Sequence, residues 1–418
     1  LLYATIIYGS FSAAWGVDFT PTLRHWEMTV TRGIEAILDT TFLSALATPF
    51  AALLGMIIAW LVVRKKFSGK DVLDFSSNLG GAVPGTILGI GFVLAFNKPP
   101  LALAVVIYAV LALFFAQVVG KKALERILIL VFGTAAGVAI TLLDQWTMYM
   151  VLGGIYLGLA VLVFIAQRKI WRSIAVALVG VYVMSYNWAN AIAKPIADFS
   201  RSLERGFWSN AIFQVADHIK VLVQPTPALL AIALVLAGII LFQNFKSKPM
   251  RIALGILGLA VPCTLSFTGI PFAMVGSAYI IMAAFIVRSV PASVRSGVAA
   301  LQQIDPSIEE ASNILGADAQ YTFRKVTLPL ILPALFAGLI FSFTRHMTSV
   351  SAIIFLISAK WRIVTASILS EWEQGGVSIA AAYSTVIILF VLIAIFVLNL
   401  LVNKIFKGRS SVDMTQGF

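Results

Sequence analysis

Residues 42–63 read FLSALATPFAALLGMIIAWLVV, and Arg64, Lys65 and Lys66 follow directly. The run carries no charge, and its length matches the ~20 apolar residues that a helix needs to cross a bilayer. Of the 418 residues in the chain, 60% are hydrophobic and 11% are charged. Soluble domains are about 45–50% apolar and about 25% charged. The sequence therefore predicts an all-α, polytopic transmembrane helical bundle.

Similar apolar runs recur along the chain and alternate with short basic clusters. After a shortened first span, the predicted spans are residues 42–63, 80–97, 101–119, 127–143, 148–166, 172–188, 227–243, 251–265, 270–287, 331–357 and 378–402. The clusters are Arg64–Lys66, Lys121-Lys122, Arg168–Arg172, Lys246–Arg251 and Lys404–Arg409. Cytoplasmic loops of membrane proteins are enriched in Lys and Arg. One orientation with twelve crossings places every cluster in the cytoplasm.

Composition also excludes several classes of function. The formal charge of +12 is concentrated in these clusters rather than spread over a soluble surface, so we expect no nucleic-acid partner. The single Cys263 excludes an intrachain disulfide and a thiolate metal cluster. Leu1–Ala14 lacks the basic start of a signal peptide. We interpret it as the end of a helix that begins upstream, and expect the natural chain to be longer.

Two segments are predicted to be neither spans nor simple turns. In residues 189–226, apolar side chains recur every three or four positions opposite charged ones. This pattern predicts an amphipathic helix that lies on the outer membrane surface or covers the bundle. In residues 288–330, the Asp305-Pro306 pair predicts a helix start. Glu309 and Glu310 favour the first turn of that helix.

The rest of this second segment predicts a short helix–turn–helix on the cytoplasmic side. Its first helix runs through Ala311 to Leu315, and Gly316 permits the turn because it has no side chain. A second helix begins near Ala319, and Leu328-Pro329 leads into the next span. Such an element can act as a rigid knob that presses into another protein.

The spacing within this segment resembles the EAA loop of ABC-type importer permeases. Glu310-Ala311-Ser312 is followed by three residues, Gly316, nine residues and Val326-Thr327-Leu328-Pro329. Ser312 replaces the second Ala of the family pattern, and Val326 replaces Ile. The resemblance implies a coupling helix that docks on an ATP-hydrolysing subunit. It implies that the coupling residues are Asp305, Glu309, Glu310, Ala311, Gly316, Leu328 and Pro329.

Further stretches are similar to permeases for ferric iron. They are GAVPGTILG at 81–89, RSVP at 288–291, AALQQID at 299–305 and SAIIFL at 351–356. The resemblance implies a type I ABC importer permease core, similar to the second half of a double-length permease. About six extra spans are inserted into it. The predicted domains are core residues 1–100, an insertion at 101–265, core residues 266–409 and a tail at 410–418.

The predicted spans hold no Asp or Glu, which argues against a proton-coupled carrier without excluding a sodium site built from carbonyl groups. The chain also lacks the G-x-x-x-x-G-K-[ST] phosphate loop. We therefore expect no enzyme activity and no cofactor in this chain, with ATP and Mg²⁺ held by a partner subunit. We likewise predict no metal site.

A polar cluster interrupts the span at 331–357. We interpret Ser342, Arg345, His346 and Ser349 either as the lining of a translocation path for an anionic or chelated substrate, or as an interhelical hydrogen-bonded cluster. For His346 alone we favour the second interpretation. Glycine pairs spaced by four residues, at 81/85/89, 133/137 and 154/158, favour close helix packing. Glu35 and Asp39 either contact a receptor or are solvated loop charges.

The sequence thus predicts a permease subunit of an ATP-driven importer in a bacterial cytoplasmic membrane. The resemblance implies ferric iron as substrate. The expected partners are nucleotide-binding ATPase subunits, an extracytoplasmic substrate-binding protein, and a second permease half or copy. The alternatives are a permease for thiamine, polyamine or phosphonate, a carrier or channel that works without ATP, and a membrane scaffold.

Overall fold

The computed structural model describes residues 1–67, 69–167, 170–185, 189–203, 206–223, 227–242, 247–267 and 273–407. Its elements in chain order are α1 (Leu2–Ser10), β1 (Ser12–Ala14), β2 (Asp18–Pro21), α2 (Arg24–Arg32), α3 (Ile34–Arg64), α4 (Lys70–Ala82), α5 (Gly85–Phe96), α6 (Leu101–Val119), α7 (Ala123–Ile140), α8 (Gln145–Gln167), α9 (Ile170–Ser185), α10 (Ala189–Ser202), α11 (Phe207–Val223), α12 (Pro227–Phe242), α13 (Lys248–Ser266), α14 (Ala278–Gln302), α15 (Ser307–Ile314), α16 (Ala319–Thr322), α17 (Leu328–Thr348), α18 (Val364–Glu373) and α19 (Val377–Lys407). A π-helical turn, Phe323–Thr327, connects α16 to α17. The β1–β2 hairpin is antiparallel.

The all-α, polytopic prediction is confirmed. Within the described residues, eight helices are long and apolar enough to cross a membrane, namely α3, α6, α7, α8, α13, α14, α17 with its π-helical turn, and α19. The bent pair α4 and α5 forms a ninth candidate. Two shorter apolar helices, Ile170–Met184 and Leu229–Ile239, lie in α9 and α12. With α1, these short helices correspond to the three remaining predicted crossings, so twelve crossings stays a prediction.

The predicted span at 80–97 is a broken helix. The first arm ends at Ala82, and the second begins at Gly85 after a bend of 108°. Pro84 causes the break, since its ring disfavours helical geometry at the preceding residue. Val83 is accordingly extended, with ψ at 134°. The segment carries two short helices where the sequence predicts one straight span.

The chain divides into two compact units. The first comprises Leu1–Val93, Arg205–Gln214 and Val275–Phe418, and the second comprises Leu94–Glu204 and Val215–Met274. The predicted domain boundaries at 100/101 and 265/266 lie within ten residues of the main division. That residues 101–265 are an insertion into a smaller permease remains a prediction.

In the first unit, α3 packs along α14 and α17. The core between these helices, near the end of α3, is apolar and includes Met56, Ala59, Leu301 and Ile331. Gly55 allows α3 to approach α14 closely, because a Cβ atom there would lie against Ser293 and 3.0 Å from the Val294 nitrogen. Small residues at helix interfaces have this role in membranes.

We expect Gly55→Val to lower the thermal stability of the purified protein, because overpacking costs about 1–3 kcal/mol even where neighbours can shift. Here the obstacle includes the backbone of α14. The matched control is Gly91→Val in α5, where a Cβ atom would meet nothing within 4 Å. Unfolding followed by tryptophan fluorescence compares the two variants. Equal melting temperatures would contradict the packing.

In the second unit, α7 packs against α13 through the predicted glycine pair. A Cβ atom at Gly133 would lie 3.0 Å from Leu259 Cβ, and one at Gly137 would press on Cys263. The pair 154/158 is different, since a Cβ atom at either glycine would meet nothing within 4 Å. The α8–α9 contact uses Gly153 and Gly180 instead, so the small-residue interface is shifted by one position from the prediction.

A buried ion pair also joins α7 to α13 in this unit. Arg251 Nη2 donates to Glu125 Oε1 at 3.0 Å and to Oε2 at 3.1 Å, and Glu125 is 1% exposed. Glu125 lies two residues before the predicted span at 127–143. The helix begins at Ala123 instead, because an acidic residue in a first turn is stabilised by the helix dipole and here also by Arg251.

Glu35 and Asp39 lie in α3 rather than in a solvated loop. Asp39 is 1% exposed, and its Oδ2 accepts a hydrogen bond from the Arg362 backbone nitrogen at 3.2 Å. Glu35 Oε2 lies 3.5 Å from Arg362 Nη1. The solvated-charge interpretation is therefore wrong for Asp39, since α3 starts at Ile34, eight residues before the predicted span.

The segment at 189–226, which was predicted to lie outside, contains two helices, α10 and α11, instead of one. In α10, the polar face carries an ion pair in which Asp198 Oδ1 lies 3.3 Å from Arg201 Nη1. Phe199 is 58% exposed. An exposed aromatic ring beside an ion pair is typical of an amphipathic surface helix, while the predicted positions 204, 205 and 224–226 lie outside the described residues.

Candidate functional site

Residues 303–327, the coupling loop, connect α14 to α17. Asp305 caps α15 as predicted, since its Oδ1 accepts a hydrogen bond from the Ser307 nitrogen at 2.9 Å. This bond, together with one from the Ser307 hydroxyl, holds the pKa of Asp305 below its usual value. Gly316 turns the chain with φ at +84°. Asp318 then caps α16 by accepting a hydrogen bond from the Tyr321 nitrogen at 2.6 Å.

The base of the coupling loop is a buried polar network. Glu309 Oε1 lies 3.4 Å from Arg64 Nε and accepts a hydrogen bond from the Thr327 hydroxyl at 2.8 Å. Arg64 Nη2 also donates to the carbonyl oxygens of Leu301 at 2.9 Å and Ile304 at 2.6 Å. The guanidinium thus ties the end of α3 to the end of α14 and to α15. Sequence reasoning assigned Arg64 only to a basic cluster.

The tip of the coupling loop is exposed and apolar. Ile314 is 85% exposed and Leu315 is 88% exposed. Behind the tip lies a groove of about 790 Å³ lined by Ile308, Ala311, Leu315, Gly316, Tyr321 and Val326, among others. Glu310 and Ala311 face solvent, whereas Glu309 is 8% exposed. The two adjacent glutamates therefore have different surroundings.

Leu328 and Pro329 start α17, so the coupling loop continues directly into a long apolar helix. The π-helical turn before them is buried at Thr327, which contacts Glu309. Phe323 in the same turn packs on Trp60 of α3, with 4.8 Å between ring centroids. A displacement of α15 would therefore act on both α3 and α17.

Ser342 and His346 share the buried face of α17. His346 Nδ1 lies 3.1 Å from the Thr48 hydroxyl, and Nε2 lies 2.7 Å from the Ser289 hydroxyl and 3.0 Å from the Phe285 carbonyl. The Ser342 hydroxyl lies 3.3 Å from that of Ser293. Both side chains belong to an interhelical hydrogen-bonded cluster of α3, α14 and α17, which was one of the two interpretations from sequence.

Arg345 and Ser349 lie elsewhere, in a cavity of about 450 Å³ that we call the arginine cavity. It is lined by Arg288, Thr344, Arg345, Thr348, Ser349 and Ser351, together with two apolar side chains. Ser342, Arg345 and Ser349 therefore do not lie on one helix face. The helix ends at Thr348, and Ser349 is extended with ψ at 131°.

Arg288 is a residue that sequence reasoning missed. It was predicted to lie outside the membrane, at the start of the segment 288–330 that follows the predicted span at 270–287. In the structure α14 continues through Pro291 to Gln302. Buried Val290, Val294 and Leu301 keep a helical spacing beyond the charge. That spacing was the available signal.

Comparison with known proteins finds relatives that are all named as transport system permeases. The ferric transport system permease protein FbpB of Actinobacillus pleuropneumoniae is 23% identical over 407 residues, which is 96% of this chain and 34% of that protein. The putative ferric transport system permease-like protein AfuB of Escherichia coli is 41% identical over 108 residues, which is 26% of this chain and 90% of that protein. The sulfate transport system permease protein CysT of Salmonella typhimurium is 34% identical over 119 residues, 28% of this chain and 43% of that protein. No family model matches the chain.

The bundle and the coupling loop together define a multi-pass helical transport subunit. With these relatives, the chain belongs to the ABC-type permeases and is similar to their ferric transport members. The alignment with FbpB includes nearly all of this chain, but this chain spans only about a third of the length of FbpB.

Proposed function

We propose that this chain is the membrane-spanning permease part of an ATP-driven importer for ferric iron. An extracytoplasmic binding protein delivers the substrate, and ATPase subunits bind ATP and Mg²⁺ on the cytoplasmic side of a bacterial inner membrane. The ferric transport permeases among its relatives support the substrate. This chain catalyses no reaction itself.

One observation carries the proposal, namely the exposed apolar tip of the coupling loop on a buried ionic base. Large apolar side chains as exposed as Ile314 and Leu315 mark an interaction surface when they lie together. The Arg64–Glu309–Thr327 network holds this surface on α3, α14 and α17. A subunit that grips the tip can therefore move three membrane helices together.

The two sides of α15 have different roles in this proposal. Glu310 and Ala311 face outward, where the ATPase subunit docks, and Glu309 faces inward and transmits the movement. Gly316 makes the turn that presents the tip, and Leu328 and Pro329 pass the displacement into α17. The arginine cavity, α4 and the first part of α5, as far as Val93, lie in the same unit as these helices.

Gly316→Val tests the coupling loop. Valine is strained at φ of +84°, since positive φ costs non-glycine residues roughly 1–2 kcal/mol and β-branched residues more. We expect at least a tenfold loss of substrate-stimulated ATP hydrolysis in the reconstituted complex. Gly69→Val is the matched control, because Gly69 has φ of +96° and also has open space around it, but precedes α4.

If Gly316→Val and Gly69→Val supported the same ATP hydrolysis, the loop would not be the docking element. Uptake of iron into proteoliposomes by the purified chain without any ATPase subunit would favour a carrier or channel. If the wild-type complex transported sulfate at the expense of ATP but did not transport iron, the substrate would be a different one within the family.

A further inference from the structure

The arginine cavity brings two guanidinium groups together within one unit. Arg288 comes from α14 and Arg345 from α17, and the hydroxyl groups of Thr344, Thr348, Ser349 and Ser351 complete the polar lining. Each of these groups can donate hydrogen bonds. Its volume of about 450 Å³ falls in the range of small-molecule sites, roughly 300–1,000 Å³.

No carboxylate neutralises these arginines in the part of the chain that the structure describes. Neither forms an ion pair with an acidic side chain within 4.0 Å, and Arg288 Nε is buried without a hydrogen-bond partner. The two side chains repel each other. Arg345 has the Phe341 ring 5.9 Å away as a weak partner. By contrast, Arg64 and Arg251 are each paired with a glutamate.

The cavity lies well inside the helical bundle along its axis. Arg345 is seventeen residues from the start of α17 and Arg288 fourteen from the end of α14, which corresponds to roughly 20–25 Å from the cytoplasmic helix ends. A cation at that depth costs about 2.5–3.5 kcal/mol even on insertion scales. Two adjacent cations therefore need water or an anion as compensation.

The start of α5 adds to the positive potential at this place. A Cβ atom at Gly85 would press on Ser351 Oγ and lie 2.8 Å from Arg288 Nη1. Gly85 is the first residue of α5, so the free N–H groups and the positive end of the helix dipole lie beside the cavity. The bend at Pro84 is what aims this helix end there.

From this arrangement we propose that the arginine cavity binds an anion with several carboxylate, phosphate or sulfate oxygens, as a stage of the translocation path. The inference rests on the proposed function and narrows its substrate class, so that iron crosses as an anionic chelate and not as a bare cation. The guanidinium groups of Arg288 and Arg345 each donate two hydrogen bonds to an oxyanion group. The hydroxyl groups of the cavity bind the remaining oxygens. Binding is weak enough to permit release.

The experiment uses the complete chain reconstituted in proteoliposomes with its ATPase subunits and binding protein. Uptake is measured with radioactive ferric iron in excess citrate, and separately with radioactive sulfate as a small oxyanion. The variants are Arg288→Gln, Arg345→Gln and the double variant, with Arg345→Lys as a conservative change. Arg295→Gln on α14 is the matched control, because Arg295 Nε donates to Asn78 Oδ1 at 3.4 Å outside the cavity.

We expect each Gln variant to lower ferric citrate uptake at least tenfold, the Lys variant to lower it less, and the control to keep it within twofold. ATP hydrolysis without substrate should persist in all variants, which separates loss of the site from loss of the complex. If the Gln variants take up less sulfate than the wild type, while the wild type takes up no ferric citrate, the anion site is supported and iron is not the substrate. Unchanged uptake of both solutes in the double variant would overturn the inference, even if uptake remains driven by ATP.

Discussion

Glu309→Ala should uncouple the coupling loop from the membrane helices. Removing one partner of a buried ion pair costs about 3–5 kcal/mol when the other charge stays buried. Arg64 keeps two backbone carbonyl partners, so the lower end of that range applies. The Thr327 hydroxyl also loses its acceptor. Substrate-stimulated ATP hydrolysis and transport should therefore fall at least tenfold.

Hydrogen exchange on the purified chain locates the effect without any partner. Amides of α15 and of the π-helical turn should exchange faster in Glu309→Ala than in the wild type. Arg64→Ala should have a larger effect, because it also removes the donor to the Leu301 and Ile304 carbonyls at the end of α14. In the double variant the two losses should be less than additive. Full additivity would contradict direct coupling of the two side chains.

Glu310→Ala is the matched control, since it removes the same side chain from the neighbouring position. Glu310 faces solvent, so its loss should leave hydrogen exchange of the free chain unchanged. It should nevertheless weaken association with the ATPase subunit. If both alanine variants accelerated exchange equally, the distinction between an inward and an outward glutamate would be wrong.

Local features of the coupling loop could be predicted from sequence because their causes are local. The Asp305 cap, the turn at Gly316 and a second helix near Ala319 all follow from the properties of one or two residues. Each is confirmed by the structure. The helix dipole, however, favours acidic residues anywhere in the first turn. It does not tell which of Glu309 and Glu310 turns inward.

That choice depends on a contact with Arg64, more than two hundred residues away in the chain. In a single sequence, Arg64 is indistinguishable from Lys65 and Lys66, and all three serve equally well as an orientation signal. The structure separates them, because only packing of α3 on α14 decides which basic side chain meets the helix end. Long-range partners of this kind lie beyond hydropathy and spacing.

Charged residues within apolar helices were the other source of error. The predicted spans were bounded by charged residues, so Arg288 was placed in the segment 288–330 and Asp39 outside the span at 42–63. In the structure both positions are helical. Asp39 accepts a hydrogen bond from backbone, and Arg288 borders a polar cavity. Charges that have polar surroundings inside a bundle do not end helices.

The resemblance in the coupling loop was informative because it fixed residue identity and spacing together. Composition alone indicated a helical membrane protein. The glycine spacing predicted close helix packing correctly at 133/137 but not at 154/158. The bend at Pro84 was not predicted, since one straight span was expected at 80–97, although the effect of a proline on the preceding residue is local. A proline alone does not specify the angle of 108° between the two arms.

Leu315→Asp should abolish docking of the ATPase subunit. Leu315 is 88% exposed beside Ile314 at the tip of the coupling loop, so the substitution removes apolar surface without disturbing the core. Burying a leucine side chain contributes about 1.5–3 kcal/mol, and a carboxylate in the same pocket adds a desolvation penalty. Because about 1.4 kcal/mol corresponds to a tenfold change in affinity, we expect association to weaken at least 100-fold.

The measurement is binding of the purified ATPase subunit to the chain in nanodiscs. Leu315→Met is the matched control, because it keeps an apolar side chain of similar volume at the same position and should change the affinity less than tenfold. Folding of both variants should match the wild type, since the Leu315 side chain is almost fully exposed in the described structure. If Leu315→Asp bound the ATPase subunit as tightly as Leu315→Met, the apolar tip would not be the contact. The movement of α3, α14 and α17 would then have to be driven from another surface of the chain.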